Sequence, residues 1–228
     1  MKIKGLQKLT LLDFPGEIGC TVFLGGCNFR CPFCHNASIV LPEREGENIS
    51  EEQLLSFLDS RRGKLTGVCV SGGEPTVNSG LIELISKIKD RSLKVKLDTN
   101  GYSPKILREL IDRKLLDYVA MDIKNSEECY GRTVGIDGFD TSPIRESAAL
   151  LMEGRMDFEF RTTVVRQLHT AESIRDIGKW LGGEEKFFLQ TFKDSGDLLS
   201  DGLSAYSDGE MKELLRVLQE YIPNAELR

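Results

Sequence analysis

The sequence predicts an α/β fold built on one parallel sheet with its helices outside. Three observations carry that prediction. Six short runs rich in β-branched and aromatic residues alternate with segments whose apolar residues recur at helical spacing. Each strand candidate runs into glycine, asparagine or charged residues that cannot continue it. No Pro- or Ser-rich linker and no low-complexity tract interrupts the rhythm, so residues 1–228 read as one domain. Such alternation favours right-handed crossovers. It fits an open doubly wound sheet or a partly closed barrel, and composition does not separate the two.

In chain order, residues 1–18 carry Leu9, Leu11, Leu12 and Phe14 ahead of a Pro15-Gly16 turn, and read as a lead-in segment packed against the body. Cys20-Thr21-Val22-Phe23-Leu24 is the first strand, ended by Gly25-Gly26. A cysteine-rich loop spans 25–36, and loop continues over 36–49 around Pro42 and Gly46. Ser50-Glu51-Glu52-Gln53 is a capping box that opens a helix to Arg62. Gly67 to Val70 is a second strand. A helix over 79–90 shows Leu81, Leu84, Ile85 and Ile88 on one face. Lys94 to Asp98 is a third strand, and Ser103-Pro104 starts a helix over 104–114. A fourth strand covers 117–123. The polar stretch 125–141 reads as loop with room for one helical turn. Ser142-Pro143 begins a helix to Glu153, 158–165 is a fifth strand, 171–181 a helix and 186–190 a sixth strand. Ser207-Asp208-Gly209-Glu210 is a second capping box, and its helix runs to Tyr221 with Leu214, Leu215 and Leu218 toward the core. Residues 224–228 are a short edge strand or a frayed tail.

A net charge of −6 argues against broad binding of nucleic acid or anionic membrane. No run approaches the ~18–20 apolar residues of a membrane-spanning helix, and the N-terminus lacks a signal-peptide pattern. The expected location is the cytoplasm. Six cysteines in a reducing compartment are thiols or metal ligands rather than disulfides. Cys20 and Cys69 lie in apolar runs and read as buried small hydrophobes; Cys129 has no reading.

The remaining three cysteines dominate the chemistry. Cys27, Cys31 and Cys34 sit within Gly25-Gly26-Cys27-Asn28-Phe29-Arg30-Cys31-Pro32-Phe33-Cys34-His35-Asn36. Their spacing would mark one face of a helix, but Pro32 and the glycine pair argue for a loop. Three thiolates are one short of a closed zinc site or an all-cysteine cluster. Zinc completed by His35 would need two adjacent residues to converge on one ion. A four-iron cluster on three cysteines would leave one iron open to a small chelator, such as the adjacent amine and carboxylate of an amino acid.

In either architecture the site lies at the carboxyl ends of the strands. Those ends bring together the cysteine loop, Gly72-Gly73-Glu74, Asp98-Thr99-Asn100, Asp122 and Lys124, Arg161 and Gln190. Two glycines would let a backbone approach a ligand closely, and Glu74 could accept from an ammonium. Bland readings stand beside these: Asp98 can simply begin a turn, Asp122 and Lys124 can be a solvated pair, and Arg161 can be an interior ion-pair partner. No Ser-His-Asp or Cys-His nucleophile arrangement is present.

The Cys-x3-Cys-x2-Cys loop, with Phe33 before its third cysteine and Gly72-Gly73-Glu74 after the next strand, resembles the radical S-adenosylmethionine superfamily. Asp13-Phe14-Pro15-Gly16, the Cys20–Leu24 strand and the cysteine loop are similar to the glycyl-radical-enzyme activases, above all those activating anaerobic ribonucleoside-triphosphate reductase. Asp98-Thr99-Asn100-Gly101 and Met121-Asp122-Ile123-Lys124 resemble motifs shared with pyruvate formate-lyase activating enzyme. The resemblance implies a partial (β/α)6 barrel of the TIM type. It implies a [4Fe–4S] cluster on Cys27, Cys31 and Cys34, with S-adenosylmethionine on the fourth iron. Phe33 would lie near the adenine, and Gly72, Gly73 and Glu74 near the methionine ammonium. Asp98, Asp122 and Lys124 would surround the methionine carboxylate, and the two aspartates could hold a monovalent cation. Arg161 and Gln190 would reach the ribose or adenine. The implied activity is reductive cleavage to a 5′-deoxyadenosyl radical, which takes hydrogen from a glycine of a partner glycyl radical enzyme. The implied electron donor is flavodoxin or ferredoxin. A radical enzyme for a small molecule, or a non-catalytic iron–sulfur or zinc protein, are the other readings.

Overall fold

The computed structural model describes residues 1–41, 48–194 and 196–228. One eight-stranded sheet organises them: β1 (Ile3–Thr10), β2 (Gly19–Leu24), β3 (Gly67–Gly72), β4 (Lys94–Thr99), β5 (Tyr118–Asp122), β6 (Asp157–Val164), β7 (Phe187–Thr191) and β8 (Glu226–Leu227). The strands lie side by side in chain order. From β2 onward every neighbouring pair is parallel. A doubly wound sheet reverses its strand order part-way; this one does not. With crossovers of one hand, an unreversed order puts the helices on one face and leaves the other face to curl inward.

Alternation along the strands agrees. On β4, Val95 and Leu97 are fully buried in the apolar core. Lys96 and Asp98, on the opposite face, meet each other and Ser71 on the next strand. The core therefore sits between sheet and helices, and the concave side is polar.

The helices are α1 (Ala37–Val40), α2 (Glu51–Ser60), α3 (Leu81–Lys89), α4 (Pro104–Asp112), α5 (Tyr130–Val134), α6 (Ser142–Met152), α7 (Ala171–Leu181) and α8 (Asp208–Gln219). Both expected capping boxes form, on Ser50 and Ser207. A third, on Thr170 with Ser173, starts α7. The single turn expected within 125–141 is α5. The loop expected over 36–49 contains α1, and its residues 42–47 lie outside the described residues.

The lead-in segment departs most from expectation. Residues 3–10 are a strand, paired antiparallel to β2. Its sequence hid this because only Ile3 and Thr10 are buried, leaving no period-two signal between them. The start of β1 braces the cysteine loop: Gly25 N–H donates to the Lys2 carbonyl at 2.8 Å. Its end delivers Asp13 and Phe14 to the amino ends of the strands. Thr21 Oγ1 donates to Asp13 Oδ2 at 2.5 Å, and the Phe14 ring lies 6.2 Å from that of Tyr118. A Cβ at Gly67 would stand 2.8 Å from the Phe14 ring, so glycine leaves the room that Phe14 fills. The tail resolves as the edge strand β8.

Phe14→Ala should lower stability by about 3 kcal/mol, the usual cost of emptying a buried phenylalanine site. Urea unfolding of the metal-free protein would measure it.

Candidate active site

The cysteine loop leaves β2 at Leu24 and reaches α1 without forming a helix, so the helical-stripe reading fails. Hydrogen bonds to several elements hold it. Gly26 N–H donates to the Ile39 carbonyl at 3.1 Å, Arg30 N–H to Val134 at 2.9 Å, and Ser200 N–H to Pro32 at 3.0 Å. Asn36 Nδ2 donates to the Gly72 carbonyl at 3.0 Å. Phe29 anchors the loop from behind, edge-on to Tyr102 and Phe139, and Phe139 stacks on Tyr130.

Cys27, Cys31 and Cys34, all free thiols, open into one cavity of about 260 Å³. The Phe29 N–H points at Cys27 Sγ from 3.3 Å. Burial pushes the Cys27 thiol up to about 11 and the Cys31 thiol up to about 12, so metal loading must release their protons. Among the described residues, no three His, Cys, Asp or Glu side chains close on a single ion. A cluster makes no such demand, because each thiolate takes its own iron.

Gly72-Gly73-Glu74 follows β3 directly. Its glycines line the same cavity and also stand against the neighbouring loop. A Cβ at Gly73 would stand 2.0 Å from the Gly26 carbonyl oxygen, and Gly72 has φ +118° with its own Cβ position 2.3 Å from the Leu24 oxygen. The loops join through Gly73 N–H to Leu24 O at 2.9 Å and Glu74 N–H to Gly26 O at 2.8 Å.

Glu74 does not line the cavity. It is 1% exposed, and both carboxylate oxygens are occupied. Oε1 accepts from Thr76 N–H, Thr76 Oγ1 and Thr99 Oγ1. Oε2 accepts from Asn100 N–H at 2.5 Å. Asn100 Nδ2 in turn donates to Asn28 Oδ1 at 2.9 Å. Through Asn100, Glu74 ties the end of β4 to the residue beside Cys27.

Strands β4, β5 and β6 provide the charged floor. Lys96 Nζ donates to Asp98 Oδ1, and Ser71 Oγ to Asp98 Oδ2 at 3.0 Å. Arg161 Nη1 lies 3.5 Å from Asp98 Oδ1 and its Nε 2.9 Å from Asp122 Oδ1. Lys124 Nζ lies 3.0 Å from Asp122 Oδ2. Asp122 and Lys124 are thus no solvated pair, and Asp98 does more than begin a turn. Burial alone would push the Asp122 carboxyl up, but Arg161 and Lys124 overcome it and hold it at about 2. Asp98 is likewise held below its ordinary range against burial, by Arg161 and Lys96. Three cations face two carboxylates, so the floor carries one formal positive charge in excess.

Phe33, Thr163 and Gln190 complete the wall, with His35 and Asn36. Behind Phe33 stands His169, fully buried, its ring centroid 6.5 Å away and edge-on. Val165 N–H donates to His169 Nδ1 at 3.0 Å. The proton therefore sits on Nε2, which donates to the Lys124 carbonyl at 2.8 Å. Sequence reasoning passed over His169 and Lys96. The i, i+2 relation of Lys96 to Asp98 was a usable sign that both share the concave face; His169 gave none.

The Radical SAM superfamily model matches residues 21–180. The chain belongs to the radical SAM superfamily. A Methanocaldococcus jannaschii protein that bears the provisional name of a glycyl-radical enzyme activating enzyme is 32% identical, across 99% of this chain and 95% of its own length. The pyruvate formate-lyase-activating enzyme of Clostridium pasteurianum is 30% identical, over 56% of this chain and 54% of its own. Among solved structures, Streptococcus suis SuiB bound to S-adenosylmethionine superposes with a TM-score of 0.69 at 14% identity, covering 91% of this chain and 51% of that one. The curled sheet is accordingly the partial barrel of radical SAM proteins, and a [4Fe–4S] cluster and S-adenosylmethionine are the cofactors. Three free thiols around one cavity, beside a wall with a cationic surplus, fit both.

Glu74→Gln should lower the melting temperature by several degrees, because an amide cannot accept on both sides. Thr99→Val should reproduce part of the loss. Calorimetry of the metal-free protein would measure both. His169 supplies a pH dependence. Burial pulls its pKa below the ordinary 6.5, so the unfolded chain binds the proton first as pH falls. Its contribution to stability is complete above 6.5 and is lost progressively below it. His169→Gln should flatten that slope in urea titrations between about pH 6.5 and 5, leaving the share of His35, also pulled down by burial.

Proposed function

We propose that this chain is a glycyl-radical-enzyme activating enzyme, of the type that acts on anaerobic ribonucleotide reductase. The carrying observation is likeness along the whole chain to the Methanocaldococcus protein of that provisional name, at 32% identity and without large unmatched ends. The Asp13-Phe14-Pro15-Gly16 segment, which closes the amino ends of the strands, and the cysteine loop support the reductase-activating type. Flavodoxin or ferredoxin is the proposed electron donor. No helix among the described residues is long and apolar enough to cross a membrane.

In this reading Cys27, Cys31 and Cys34 hold the cluster and leave one iron without a protein ligand. The bound cofactors supply one-electron reductive cleavage of a sulfonium and, through it, hydrogen-atom abstraction. The chain's own residues bind, orient and shield. The surplus charge at Lys124 and Arg161 attracts a carboxylate toward Asp98 and Asp122, which keep those cations in place. Phe33, backed by His169, offers an aromatic face for adenine, and Gln190 and Thr163 offer polar groups in the same cavity. Gly72 and Gly73 let the second wall stand close to the cysteine loop. No general acid or base is needed.

Anaerobic incubation of reconstituted protein with candidate partners, S-adenosylmethionine and a reductant tests the reading by electron spin resonance. A glycyl radical on anaerobic ribonucleotide reductase, absent with Cys31→Ala, is the expected result. A radical only on pyruvate formate-lyase would reassign the partner. Turnover of a small molecule with no glycyl radical on any partner would overturn the activase reading.

A further inference from the structure

The family resemblance leads to the expectation of a monovalent cation between Asp98 and Asp122. Each of the four carboxylate oxygens already accepts from a cation or a hydroxyl of the protein. Asp98 Oδ1 accepts from Lys96 and faces Arg161 Nη1 at 3.5 Å. Asp98 Oδ2 accepts from Ser71 Oγ at 3.0 Å. Asp122 Oδ1 accepts from Arg161 Nε at 2.9 Å, and Asp122 Oδ2 from Lys124 Nζ at 3.0 Å. Among the described residues, the Arg161 guanidinium is the one group that contacts both aspartates, so it already stands where a shared cation would bridge them.

Backbone register makes this arrangement a built feature. Asp122 is the direct neighbour of Arg161 across β5 and β6. Asp98 is paired with Ala120, one inward-facing step below Asp122. Below Arg161 on the same face lies Glu159, 1% exposed and held by Tyr118 and Arg228, and its negative charge favours the guanidinium above. Arginine keeps its charge at every accessible pH. An alkali ion would have to displace it. If added beside it, the ion would raise the local surplus from one positive charge to two in a partly buried cluster, where like charges repel more strongly than in water.

We propose that Arg161 is a built-in counter-ion that replaces the monovalent cation, so that the site binds S-adenosylmethionine without any alkali metal. The inference rests on the family assignment and its cofactors, not on the choice of partner. Arg161 acts here as a positioning residue: it holds Asp98 and Asp122 together and thereby fixes Lys96 and Lys124.

The test compares sodium, potassium and choline chlorides at equal ionic strength. Isothermal titration of S-adenosylmethionine into the oxidised, cluster-loaded protein gives the affinity, and thermal melting of the metal-free protein gives a readout independent of the cluster. Wild type should show the same dissociation constant in all three salts within about twofold, and the same melting temperature. Arg161→Gln should bind roughly tenfold more weakly in choline, as for loss of one member of a buried charge cluster, and should recover in sodium or potassium. Arg161→Lys should remain insensitive to the salt. Saturable, alkali-selective tightening in wild type would overturn the proposal, and that arm decides even if Arg161→Gln fails to fold. So would an Arg161→Gln protein that folds, binds weakly and gains nothing from either alkali ion.

Discussion

The carboxyl ends of the strands depend on two backbones lying closer than a methyl group would permit. Gly73 approaches the Gly26 carbonyl so nearly that any Cβ would overlap it, and Gly72 takes a backbone conformation that side chains rarely adopt. This contact joins the loop after β2 to the turn after β3. It also turns Glu74 inward, where a carboxylate must be fully hydrogen-bonded to be tolerated. The four donors it finds come from its own turn and from the end of β4. Three consecutive strand ends are thus locked into one unit, and the first cysteine is held by that unit through Asn28 and Asn100.

The concave face poses the opposite problem. A curled sheet has a small interior, and here charged side chains fill much of it rather than aliphatic ones. Burying Lys96, Asp98, Arg161, Asp122 and Lys124 is tolerable because each charge meets an opposite one within hydrogen-bond reach or close to it. The surplus of one cation, the three thiols and the aromatic wall at Phe33 then share a single cavity. Hydrophobic burial between sheet and helices supplies the driving force for folding, which frees the inner face for binding. Phe14 and Tyr118 close the far end.

The regular elements were legible in the sequence because their periodicities report directly on which face is buried. Six strands and their helices fall within a few residues of expectation, as do the capping boxes at Ser50 and Ser207. β1 was not legible: an edge strand with lysines along it lacks the alternation that burial of one face imposes. The short α1 was hidden for a similar reason, since four residues carry too little pattern. The cysteine spacing and the Gly-Gly turn pointed to the right region, but the hydrogen bonds of Glu74 to Thr76, Thr99 and Asn100 had no sign in the sequence. His169 could not have been found, because its partners are two main-chain groups, one of them forty-five residues away.

By itself the sequence determined the α/β rhythm, the cysteine loop and the set of polar strand ends, since each is encoded by residues close together in the chain. Only the tertiary structure decided that the strands run in unbroken order. It alone decided that Glu74 faces Asn100 rather than the cavity, and that Arg161 lies between two aspartates from different strands. Those outcomes depend on which strand ends become neighbours and how the sheet curls, and no local pattern records either.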